Sequence, residues 1–273
     1  MMHRPGERQW PLPNIYPPIA LITAHMRYLL LLTVLFVLHA PTANAQSLQA
    51  EYTVTFTIKM DLDGGDVHRE SITLKGFLYR KGNRYIYFER PAYLNKYPDG
   101  AISVSPNPYH TYSFSLNTDT IQSINYYDFD SLVYRRRVDQ LSTLPNRIQN
   151  FDPNYYQWVF LTDTKEINGL HCQKATLTLH GIPQWELWFC PDIPMQAGVE
   201  NIMGVPGLVV DAESIPDHRH YTLDSYDTNG VVQDSLFWPQ EFNQPFDKRS
   251  DLYRGTVNDR PSRPSKKQEL LKQ

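Results

Sequence analysis

From Glu51 to Met60 the chain alternates without a break. Tyr52, Val54, Phe56, Ile58 and Met60 fall on one parity, Glu51, Thr53, Thr55, Thr57 and Lys59 on the other. In a pleated strand successive side chains point to opposite faces, so this run can bury one face and wet the other only as a β-strand. Further strand candidates lie near 70–80, 85–88, 111–117, 120–127, 131–138, 156–166, 171–180, 184–190, 208–213, 219–227 and 231–238. Aromatic and β-branched residues fill these runs, as suits pleated surfaces. Asp63-Gly64-Gly65, Lys81-Gly82-Asn83, Asn168-Gly169 and Asn229-Gly230 punctuate them with residues that tolerate positive φ, the signal of a hairpin turn. Helical periodicity is nearly absent. A short turn is expected over 92–97, and 139–150 reads as a brief helix or an irregular link. The pattern predicts an all-β protein, a curved antiparallel sheet open or bent into a half-barrel, with little helix.

The first 45 residues read differently. Arg27 precedes an apolar run over 28–38, and Ala43-Asn44-Ala45 follows it. A basic flank, a short apolar core and small residues at −3 and −1 predict a signal peptide cut after Ala45. The apolar core is about 11 residues, short of the ~20 that span a bilayer. Met26 stands directly before Arg27, so residues 1–25 read as an N-terminal extension ahead of the true start. Gln46 then opens the mature chain; no cysteine there can take a lipid. Three of the 26 basic and one of the 29 acidic residues fall in this segment, which leaves the mature chain at −5. No basic block precedes the tail, which argues against nucleic acid as a partner. One domain is expected over 46–242, followed by a polar and disordered tail over 243–273.

Few residue groups suggest chemistry. No Gly-x-Ser-x-Gly, His-Glu-x-x-His or phosphate-cradling glycine loop occurs. Glu186 beside Trp188 could stack a sugar ring and bind its hydroxyls, against a polar sheet face that one Trp covers. His218 and His220, with Asp211, Glu213 or Asp217, resemble a metal site too weakly to outweigh a solvated pair, so no metal and no cofactor are expected. Cys172 and Cys190 are the only cysteines. In an exported chain an even count most simply means one disulfide, and strand parity puts both on one face if the intervening loop has odd length.

Two runs stand out. Trp188-Phe189-Cys190-Pro191-Asp192-Ile193-Pro194 is followed by Gly204-Val205-Pro206-Gly207-Leu208-Val209-Val210, and Ile167-Asn168-Gly169-Leu170-His171-Cys172-Gln173-Lys174-Ala175 precedes both. Over 167–213 the chain resembles the GLPGLI family of exported envelope proteins of Gram-negative bacteria, a family without an established activity. Val205 and Val210 depart mildly from its pattern, and Cys190 stands where the family usually carries a small polar residue. The resemblance implies an exported chain, in the periplasm or at the outer membrane. Physically, Val205-Pro206-Gly207-Leu208 reads as a type II turn, with proline setting φ at its second position and glycine supplying positive φ at its third. Gly204, Pro206 and Gly207 are thus expected to form a structural corner feeding a buried strand.

Three functional readings follow. The first is a non-enzymatic binding or assembly protein whose partner is a hydrophobic ligand, a peptide or another envelope protein. The second is a hydrolase acting on glycan or peptide through dispersed carboxylates. The third is a structural partner of an outer-membrane complex, held through an exposed edge strand.

Overall fold

A computed structural model describes residues 47–137, 146–244 and 246–248. The expected signal peptide, and most of the expected tail, lie outside the described residues. Among the described residues no helix is long and apolar enough to cross a membrane.

The first strand runs over Ser47–Asp61 (β1) and forms a long hairpin with Val67–Lys81 (β2). Tyr52, Val54, Ile58 and Met60 are buried, as the alternation predicts. On one side of this hairpin the sheet continues through Arg84–Arg90 (β3). After a small separate hairpin of Ala101–Asn107 (β4) and His110–Ser115 (β5) come Gln122–Asp128 (β6), Val133–Arg137 (β7) and Asn146–Asn150 (β8). On the other side lie Val159–Ile167 (β9), Leu170–Leu179 (β10), Ile182–Cys190 (β11), Leu208–Ser214 (β12) and Arg219–Asp227 (β13). β13 pairs with β1, and Phe246–Lys248 (β14) adds a short parallel edge to β8. The result is an open antiparallel sheet of 12 strands, in the order β14-β8-β7-β6-β3-β2-β1-β13-β12-β11-β10-β9. Register shifts at Glu51/Tyr52, Trp188/Phe189 and Tyr87/Glu89 bend its strands.

The all-β expectation holds, with four local differences. Residues 146–150 form a strand, because β7 offers a free ladder to pair with. A strand over 101–107, unmarked in the pattern, pairs with β5. The expected strand at 231–238 is instead an irregular segment with a 3-10 turn at Asp234–Phe237. Val232, Leu236 and Phe237 pack onto the sheet face from it instead of alternating within the sheet. A short strand not marked in the pattern, β14, lies past residue 242.

Two apolar clusters sandwich the sheet. The larger joins Tyr52, Val54, Leu78, Tyr87, Leu187, Phe189, Val209 and Tyr221 with the loop between β11 and β12. The smaller, on the opposite face of β3 and β6, unites Ile86, Phe88, Ile124 and Tyr126 with Val232, Phe237 and Phe242. β3 is therefore buried on both faces, and its Tyr85–Phe88 run is uniformly apolar or aromatic for that reason.

Candidate functional site

The segment over 191–207, which connects β11 to β12, folds as a hairpin of its own. The Leu208 amide donates to the Ile193 carbonyl at 2.9 Å and the Gly204 amide to that of Gln196 at 2.8 Å. Further in, Ala197 bridges Met203, and the Gly198 amide donates to Ile202 at 2.9 Å. Met195, Ala197, Val199, Ile202, Met203 and Val205 are buried, so this loop contributes to the main core as a strand would. It covers part of the apolar face of the sheet.

The corner that follows differs in detail from expectation. Gly204 holds the left-handed φ, at 82°, whereas Gly207 does not adopt that conformation. Gly207 is needed for closeness instead: a Cβ there would fall on the Cys190 carbonyl and 2.8 Å from the Phe189 ring. The type II turn centred on Pro206 and Gly207 is therefore not formed. Tight packing between the starts of the two signature runs replaces it.

Both legs of this hairpin wall a groove of about 560 Å³, open to solvent. Buried Met195 and Val205 and half-buried Phe129 give it an apolar surface, while Pro194, Gln196, Gly204 and Pro206 present its exposed rim. Pro153 and Asn154 stand across from them, and Asn83 closes one end from the β2–β3 turn. Each wall is tied down. Arg80 donates to the Pro194 carbonyl at 2.6 Å and to the Gly82 carbonyl at 3.0 Å, joining the hairpin to the turn that carries Asn83. Asn83 donates to Asp130 at 2.8 Å. Trp158 donates its indole N–H to the Met203 carbonyl at 2.8 Å, and Gln157 donates to the Asn154 carbonyl at 2.6 Å. Phe129 meets Tyr85 and Phe151 edge-on at 5.3 and 5.1 Å.

None of the 10 described residues lining the groove is ionisable, and none is a nucleophile. Asn83, Asn154 and Gln196 supply amides that both donate and accept hydrogen bonds. Such a surface can bind a neutral, partly apolar group. It offers no acid, base or attacking atom of its own.

The residues singled out in the sequence lie elsewhere. Lys174 pairs with Glu186 at 2.6 Å, and the Lys165 and Lys174 ammonium groups sit 4.2 and 5.7 Å from the Trp188 ring centroid. Trp188 and Glu186 are thus adjacent, as expected, but already engaged by lysines, and neither lines the groove. His220 pairs with Asp211 at 3.2 Å, while His218 occupies a turn with φ 50° ahead of β13. The two histidines therefore do not share a strand face, and no group of three or more potential metal ligands occurs among the described residues.

Cys172 and Cys190 are free thiols, both buried, which corrects the expected disulfide. The register that pairs Gln173 with Phe189 sets them opposite each other at its next step. They pack there as small apolar side chains. Burial first, and then the neighbouring Cys190, push the Cys172 thiol up to about 11.

A second polar cluster was not visible in the pattern. Glu89 is fully buried and pairs with Arg219 at 2.5 Å, while Tyr87 donates to its other oxygen at 2.9 Å. Tyr221 donates to Glu200 at 2.5 Å. A charged residue closing the apolar run Tyr85-Ile86-Tyr87-Phe88 was the one available sign of it.

No family model matches the chain, and no curated protein matches it. Among solved structures, it is similar to PNGF-II in one crystal form at a TM-score of 0.44 and 13% identity, over 76% of this chain and 32% of that one. It thus spans about a third of that protein's length. A DUF1329 family protein from Desulfovibrio piger is similar at a TM-score of 0.24 and 12% identity, over 78% of this chain and 96% of the other.

Proposed function

We propose that this chain is an exported cell-envelope protein of the GLPGLI type that binds a neutral ligand or partner segment without converting it. The observation that carries the reading is the groove: both legs of the 191–207 hairpin wall it, and among the described residues no ionisable side chain lines it. Export is supported by the basic, apolar and small-residue succession over 27–45. Apolar surface between neutral amides suits an uncharged group whose polar atoms sit at its edges, as in an extended peptide.

Native mass spectrometry of the protein isolated from its own envelope tests this. Wild type should carry a bound mass. Asn154→Arg and Gln196→Arg, both at exposed rim positions, should lose it while melting unchanged. Retention of the same mass by both variants would place binding elsewhere, and release of a chemically altered ligand would make the protein an enzyme.

A further inference from the structure

The tip of the 191–207 hairpin carries an oddity. Glu200 sits at φ 50°, in the left-handed region where glycine or asparagine is favoured. Turn geometry does not call for a glutamate there. Its side chain supplies the reason: the carboxyl group reaches inward and accepts the Tyr221 hydroxyl of β13 at 2.5 Å.

The receiving side is built to hold it. Arg219, on the same strand, pairs with Glu89 of β3 at 2.5 Å, and Tyr87 completes the set by donating to Glu89 at 2.9 Å. Gly76 of β2 leaves room for this arrangement, since a Cβ there would lie 2.6 Å from the Tyr87 hydroxyl oxygen. Arg219 thus pairs with one buried carboxylate, Glu89, and acts electrostatically on a second, Glu200.

We propose that the 191–207 hairpin is a releasable strap, latched at its tip by the Glu200–Tyr221 contact, and that opening this latch dismantles the groove wall. The inference rests on the groove being the binding site. The hairpin's two legs carry Pro194–Gln196 and Gly204–Pro206, and the Gly204–Gln196 hydrogen bond couples them to the tip.

The latch answers to protons. The charged and titratable groups acting on Glu200 are Arg219 and Tyr221 of β13, Glu89 of β3, and Asp217 of the turn before β13. Burial raises the Glu200 carboxyl above the ordinary carboxylate range. Glu89 and Asp217 push the same way, and Arg219 and the Tyr221 hydrogen bond oppose them. An acid raised on folding contributes stability that is fully present below its unfolded pKa and is lost as pH rises through its folded value. The strap therefore closes in acid and loosens as Glu200 ionises.

Amide hydrogen exchange on ligand-free, refolded protein tests the latch independently of any ligand. After correction for intrinsic rates, wild-type protection across 196–204 should fall, by at most about tenfold per pH unit, as pH rises from the ordinary carboxylate range to the folded Glu200 value, and level off above it. Glu200→Gln, which keeps a hydrogen-bonding side chain and cannot ionise, should be flat over the same range. Tyr221→Phe should expose the segment at every pH while β1 and β2 stay protected. Equal pH dependence in wild type and Glu200→Gln, or loss of protection throughout the sheet, would overturn the latch. Failure of the groove variants to release a ligand, with the latch intact, would instead overturn only the binding reading.

Discussion

Glu89 is buried at the end of the apolar and aromatic run Tyr85–Phe88, and among the described residues Arg219 is the cation paired with it. Removing one partner of such a pair leaves an uncompensated charge, which costs far more than the pair itself contributes. Arg219→Met should therefore destabilise the protein by about 3–5 kcal/mol in urea unfolding. The double variant Glu89→Gln/Arg219→Met should recover part of that loss, because neither charge remains. A double variant as unstable as the sum of its singles would show that the two side chains are not coupled. The cysteines make a second prediction at this scale. Alkylation without reductant should leave Cys172 and Cys190 unlabelled in the folded protein, where burial keeps the thiols protonated, and label both in denaturant. Absence of labelling in denaturant would mean that a disulfide is present after all.

At the level of elements, the sequence disclosed most of what local rules govern. Strict alternation located β1, and Asn168-Gly169 located the β9–β10 turn, where both residues do take positive φ, at 52° and 78°. Long-range packing was hidden. Val232 and Phe237 share a β-like apolar run, yet they cover the second cluster from an irregular segment, since burial on a sheet face rewards the same residue types as pairing within one. The 191–207 hairpin escaped notice because its ladder is short, and proline and glycine mark turns without saying where they pack. Gly207 is the instructive case. Its identity pointed to a special position, but the cause is proximity to the Cys190 carbonyl and not positive φ. Gly207→Ala should accordingly cost about 1–3 kcal/mol, the penalty of an overpacked site. Unchanged thermal unfolding of that variant would remove close packing as the explanation.

Across the whole molecule, the sheet has one face covered by a loop of its own and part of the other covered by its C-terminal segment. The groove arises where the covering loop meets the β2–β3 turn and the chain at Pro153–Asn154. None of Asn83, Phe129, Pro153 and Asn154 was identifiable beforehand, because they come from turns distant in sequence that only the folded sheet assembles. The signature residues Pro194, Gly204 and Pro206 did stand out, for their turn chemistry, and they prove to be groove walls as well. The other two functional readings make different demands. A hydrolase would need ionisable groups at the groove, and a strand-docking partner would need an edge of the sheet, of which β9 is longer than β14. The β9 edge carries Asp163, Lys165 and Glu166 and an interrupted register between Phe160 and Thr164, features that discourage strand addition. A crystal structure of the protein isolated with its native ligand is the most direct test of the account. Density should lie in the groove, contacting Asn83, Asn154 and Gln196, with the ligand intact; density beside Glu186 and Trp188, or a strand added along β9, would contradict groove binding.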